Sequence, residues 1–318
     1  MRYTFAMVRL LLLSLALLQP APTTPTASTA STASTTRPDL AGEPMPQPSG
    51  WELPERAERL EAEILKEAET TDVPWAGRYY RGDGTGYNVE LHLAPEAGLL
   101  ASLRGCLGMY GLSHGEAIEL EDGSIEFRTV EERTSAPSRA WPVQRGEVKY
   151  LVIVGKEKTF ANQFNAGEDL GRGILSGSFS NEIYGVSRMG GRLEAPAPLR
   201  DLLLDEPIRG TLTAVGEQIN VQGDYSGARH FAVEVDLGSD DQGFPGMILH
   251  VRDPEWAGEI VITSVELNLS AGQLTQRYWK TRDDEKPAPA VGWSVSSESR
   301  SGARLAKHRA EANEEAAD

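Results

Sequence analysis

The spacing of hydrophobic positions changes character near residue 75. From Glu52 to Glu69, Leu53, Ala57, Leu60, Ile64 and Ala68 recur at three- and four-residue steps, with Leu65 alongside, and the opposite face carries Glu, Arg and Lys. That spacing places the apolar residues on one stripe of a helix. Pro74 limits it, because proline disfavours helical geometry at the residue before it. The expected role is a helix packed on the domain that follows, with a short dimerisation helix as the alternative.

From Trp75 onward the period is two. Tyr87, Val89, Leu91 and Leu93 point one way, and Asn88, Glu90 and His92 the other. Ile118 and Leu120 are placed to pair with Ile125 and Phe127 across Glu121-Asp122-Gly123-Ser124, and Asp-Gly is a strong hairpin signal. Val148 to Val154 is a largely apolar run, the mark of a central strand, and Gly177 to Ile183 is a further candidate. These features predict one mostly antiparallel β domain over residues 73–195.

Ala195-Pro196-Ala197-Pro198 then forms a joint. Beyond a short Leu199–Leu204 segment, strands are predicted near 208–215, 217–224, 230–237, 247–252, 258–267 and 273–279. Phe231, Val233, Val235 and Leu237 alternate within them. Six short strands with turns every eight to twelve residues predict a small β-barrel over 205–280. Residues 281–318 are polar, and Glu298–Asp318 is expected to be disordered or a frayed helix. The fold class is mainly β: an N-terminal amphipathic helix, a mostly antiparallel domain, then a six-stranded barrel-like domain.

The beginning of the chain changes where this protein is expected to act. Arg2 and Arg9 precede an apolar run from Leu10 to Leu18, followed by Gln19-Pro20-Ala21. About nine apolar residues suit a signal-peptide core, whereas a spanning helix needs about twenty. Residues 1–21 are therefore read as a signal for export to the periplasm or the exterior. Cleavage is placed after Ala21, Ala27 or Ala30, with an uncleaved anchor as the alternative. Residues 22–50, rich in Ala, Ser, Thr and Pro, have the composition of a disordered linker. The single Cys106 cannot form an internal disulfide. A net charge of −16 opposes binding to nucleic acid or anionic membranes.

Two resemblances follow from particular residues. Trp75-Ala-Gly-x-Tyr-Tyr-x-Gly-Asp-Gly-x-Gly-x-Asn-Val, with Leu93-Ala-Pro95 and Gly105-Cys-Leu-Gly-x-Tyr110, resembles a family of uncharacterised exported bacterial proteins. Asn162-Gln-Phe-Asn165-Ala-Gly167-Glu168 is similar to a second segment of that family. No activity is implied by it. Val235-Asp-Leu-Gly238-Ser239, Gly243-x-Pro-Gly246-Met247-x-Leu249-x-Val251, Gly258-Glu-Ile-Val-Ile-Thr-Ser-Val265 and Ser270-Ala-Gly272 resemble a small β-barrel found in the rod cell-shape protein and in flagellar assembly protein T. This chain departs from it at Asp240–Phe244. The resemblance implies a packing and interaction module, and Gly238 and Gly246 fit turns that require positive φ or close approach.

Candidate chemistry is sparse. Arg81-Gly82-Asp83-Gly84-Thr85-Gly86 reads as a glycine-rich turn rather than a receptor or phosphate loop. Glu90 and His92 with His114 and Glu116, placed in a following loop, have the ligand types of a zinc site, but a solvated strand face explains them more simply. Cys106, flanked by glycines, is expected to be a small buried thiol; as a nucleophile it would need His114 as base. Asp83 and Glu116 are the first carboxylate pair for an acid/base mechanism. His230 and His250 are expected to be structural or exposed, and Asn268-Leu-Ser270 is a weak glycosylation match.

Trp75, Tyr79, Tyr80, Tyr87 and Tyr110 are either core or the lining of a sugar- or small-molecule pocket. No metal or cofactor is expected. The leading expectation is a non-catalytic binding or scaffolding protein of the cell envelope with a protein or glycan partner. A ligand-binding β domain and a carboxylate- or Cys106-dependent hydrolase are the alternatives.

Overall fold

Helix α1 (Glu55–Thr70) forms on the apolar stripe and buries Ala57, Leu60 and Ile64. Glu55 and Glu58 occupy its first turn, where carboxylates complement the helix dipole. The structure, a computed structural model, describes residues 45–46, 50, 52–81, 86, 88–130, 137–145, 148–167, 175–176, 193–219, 228–253, 258–276 and 287–315. The signal, most of the linker, Asp83, Tyr87 and the 177–183 candidate strand lie outside them. All described residues belong to one compact unit, Pro38–Asp318.

The first sheet contains β1 (Gly77–Arg81), β2 (Asn88–Ala94), β3 (Gly98–Gly105), β4 (Gly108–Glu119), β5 (Ile125–Thr129), β6 (Arg139–Arg145), β7 (Val148–Ile153), β8 (Leu175–Ser176) and β9 (Leu193–Glu194). Their order is β5-β4-β3-β2-β1-β8-β7-β6-β9, and β5 also pairs with β6, so the sheet curls back on itself as a barrel. The β4–β5 hairpin turns at Asp122-Gly123, with Ala117 opposite Phe127. Inward positions alternate as a β period requires: Tyr79, Val89, Leu91, Leu93, Leu99, Ala101 and Ile125 meet Trp75 inside.

The outer face of β2–β4 is not solvated. Leu60 and Ile64 of α1 pack on Ala94, Leu100 and Leu112 there, so every residue of β2 is buried. Glu67 fixes the helix to the β2–β3 turn: its carboxylate accepts from the backbone N–H of Glu96 (2.9 Å) and Ala97 (2.7 Å).

The second sheet comprises β10 (Arg209–Ile219), β11 (Arg229–Val235), β12 (Ile248–Asp253), β13 (Glu259–Val265), β14 (Ser270–Gln276) and β15 (Ser294–Ser296). It closes as a six-stranded barrel in the order β10-β11-β14-β13-β12-β15. Two expectations change here. The strand predicted at 208–215 and the described part of the one predicted at 217–224 are one strand, β10, which absorbs Gly216 at a register shift between Val215 and Gln218. The sixth strand comes from the region read as a polar tail. β15 pairs with β10 and β12, Val295 is buried, and α4 (Arg300–Glu315) follows.

The glycines singled out between β11 and β12 have the two roles expected of them. A Cβ on Gly238 would lie 2.2 Å from the Leu267 carbonyl oxygen, and Gly246 has φ +95°.

The Pro-rich joint separates two sheets but not two cores. One continuous cluster runs from Trp141, Tyr150 and Val152 through Phe160 and Phe164 of α2 (Glu157–Asn165) and Leu199 of α3 (Ala197–Arg200) to Phe231, Leu249 and Ile260 inside the second barrel. Polar contacts close the same seam. Asn162 donates from Nδ2 to the Gly246 carbonyl (2.8 Å) and accepts at Oδ1 from the Ile248 N–H (2.9 Å). Asn165 does likewise with the Leu202 carbonyl and Leu204 N–H, both at 2.9 Å. The Asn162–Asn165 segment is thus a pair of amide clamps.

Candidate functional site

Among the described residues, chemistry-bearing side chains gather at several places, two of them in the first barrel. The first lies under α1. The rung of the sheet running Arg78, His92, Leu100, His114 shares one outward face, and Glu90 sits two residues before His92 on that face. Glu61 of α1 descends onto it. His92 Nδ1 lies 3.4 Å from Glu61 Oε1, without hydrogen-bond geometry, and Nε2 lies 3.2 Å from Glu90 Oε1. Glu90 also takes Arg78 on Oε1 and Arg104 at 3.4 Å on Oε2.

Burial by itself would raise the Glu90 pKa. The hydrogen bond from His92 and the charges of His92, Arg104 and Arg78 outweigh it, bringing the carboxyl down to about 2. Among the described residues, the ligand atoms of Glu61, Glu90 and His92 come within 4.8 Å of one another. Two guanidinium groups on Glu90 already neutralise it and would repel a divalent cation. The donor set fits an ion-pair network tying helix to sheet better than a metal centre.

His114 and Glu116 do not join this cluster. Both are in β4 rather than a loop, and Leu100, fully buried, stands on the rung between His92 and His114. The solvated-face reading of Glu90 and His92 is corrected by their burial at 5% and 3% exposure. Cys106 is also corrected: it is exposed, in the turn between β3 and β4. His114 lies about six strand residues away, about 20 Å at strand rise, so the two are no nucleophile and base.

The aromatic candidates are dispersed. Trp75 and Tyr79 are in the core, where Trp75 Nε1 donates to Glu119 (2.9 Å) and the Tyr79 hydroxyl to the Trp75 carbonyl (2.8 Å). Tyr80 is half-buried and donates to Asn88 Oδ1. Tyr110 is 43% exposed at the β3–β4 hairpin, where its hydroxyl accepts from the Leu107 N–H. His250 is buried and His230 half-buried in the second barrel.

The second place is a cavity of about 230 Å³ at the rim of the first barrel. It lies where β7 faces the entry to β1. Pro142, Val143, Tyr150, Tyr79 and Pro196 supply apolar wall. Lys149 supplies the cation. Its Nζ donates to the Ala76 carbonyl at 3.0 Å, and burial pulls the amine below its ordinary range. Of the lining residues only Tyr79 was a sequence candidate. Lys149 gave no signal there, being one polar residue in an apolar strand.

Sheet architecture and sites together define a mainly β protein of two joined barrels with an outer helix. No family model, curated protein or solved structure matches the chain. Among the described residues, no helix is long and apolar enough to cross a membrane.

Proposed function

We propose that this chain is a non-catalytic exported protein that acts by binding, as a scaffolding component of the cell envelope. The observation that carries the reading is how the reactive side chains are used. Glu90 and His92 are consumed in the network under α1, and Cys106 and His114 are held far apart along the sheet. Asn162 and Asn165 are spent on the seam between barrels. A continuous core across both sheets suits a body that holds its surfaces in fixed relation. The resemblance of the second barrel to interaction modules, and of the first to an exported family, points the same way.

The test sets binding against turnover. The full chain, photo-cross-linked in envelope fractions, is expected to give one saturable partner that unlabelled protein competes away. A hydrolysed substrate whose turnover falls with Cys106→Ala or Glu116→Gln, with no saturable partner, would replace binding by catalysis.

A further inference from the structure

The cavity beside β7 combines features that the scaffold reading does not use. Lys149 is half-buried, yet no carboxylate of a described residue lies within salt-bridge reach of it, in a chain carrying 47 acidic residues. Its ammonium has three donors, of which the Ala76 carbonyl takes one. Glu194 lines the same cavity but is exposed at the rim, where solvent screens it. The burial that lowers the Lys149 pKa is a cost that an anion would relieve.

Around the amine the walls are mostly apolar, with Pro74, Pro142, Val143, Ala195 and Pro196 beside the edges of Tyr79 and Tyr150, and Gln144 adds one amide. Besides Lys149 and the tyrosine hydroxyls, Gln144 and Glu194 are the polar side chains of the lining; the prolines, Val143 and Ala195 offer no side-chain donor or acceptor, so most hydroxyls of a sugar would be left unpaired there. A space of about 230 Å³ equals the liquid volume of about eight waters, enough for a single ring and its acid group.

We propose that this cavity is a binding site for a small organic carboxylate with an apolar, single-ring body, whose carboxylate pairs with Lys149 while its ring lies against Val143 and the prolines. The site is independent of any envelope partner.

Calorimetric titration of the full chain tests it with three probes: phenylacetate, its uncharged counterpart phenylacetamide, and glucuronate, an acid with a polar ring. Phenylacetate is expected to bind saturably, with phenylacetamide at least about tenfold weaker, the discrimination of one charge-assisted contact. Glucuronate is expected not to compete. Lys149→Met should bring phenylacetate down to the level of the amide, and Lys149→Arg should keep part of the preference. Equal affinity for acid and amide, or full affinity in Lys149→Met, overturns the role of the amine. Glucuronate binding as tightly as phenylacetate overturns the apolar half, and absence of binding by every probe overturns the site. The acid–amide comparison uses the unmodified protein, so it decides even if a variant misfolds.

Discussion

Asn162 carries the sharpest stability prediction. Replacing it with leucine keeps the branched shape but strands two backbone groups, the Gly246 carbonyl and the Ile248 N–H, which it now satisfies at 2.8 and 2.9 Å. An unmet buried polar group costs about 1–3 kcal/mol. Asn162 is half-buried, so the lower part of that range applies to each group, about 2–4 kcal/mol in all. For a body of this size, about 2–4 °C of melting temperature follows each kcal/mol, so Asn162→Leu should melt about 5–15 °C lower. Circular dichroism measures the shift, and Thr159→Leu, at an exposed position on the same helix, is the control. Hydrogen exchange supplies the local signature: the Ile248 amide should lose protection before the rest of β12. A melting temperature within about 1 °C of the parent, or an Ile248 amide protected as before, would refute the clamp.

Glu90 makes stability depend on acid. Its folded pKa of about 2 lies below the ordinary 4.5, so its contribution is present above about 4.5 and is lost as pH falls through 2. The drop corresponds to about 3 kcal/mol, an upper figure because Arg78 and Arg104 are partly solvated. Urea titrations of wild type and Glu90→Gln should therefore converge between about pH 5 and pH 2; a constant gap would contradict the network. Cys106, being exposed, should react fully with a thiol reagent in the native state, and protection until unfolding would contradict its placement. Deletion of residues 293–318 removes β15, buried Val295 and the Arg252–Glu298 pair, leaving β10 and β12 with open edges. Limited proteolysis should then cut the second barrel far faster than in the full chain.

The fold was largely legible because most of it is periodic. The stripe of α1, the alternation of Phe231, Val233 and Val235, and the Asp122-Gly123 turn each state their geometry locally. What failed to show was any burial set by a distant partner. Asn88, Glu90 and His92 alternate as a solvated face would, and only α1 arriving from outside makes them interior. A hint was present in Leu99-Leu100, adjacent apolar residues that point to opposite faces of β3, both buried. The segment around β15 reads as a polar tail because Ser296, Ser297 and Ser299 are small and polar. They are buried all the same, since Ser297 accepts from the Ile208 N–H and Ser299 from the Gly302 N–H. The candidate site was less legible still. Lys149 and Tyr150 matter through what β7 faces, which spacing along one strand does not disclose.

The seam through Phe160 and Phe164 has a practical consequence for anyone wishing to dissect this molecule. Cutting at Ala195–Pro198, where composition invites it, would leave the first fragment presenting Trp141, Tyr150 and Phe160 to water and would open the second around Phe244 and Met247. Both pieces would carry a fresh apolar wound, the kind of surface that drives precipitation. Useful fragments keep the two barrels together and trim only outside them.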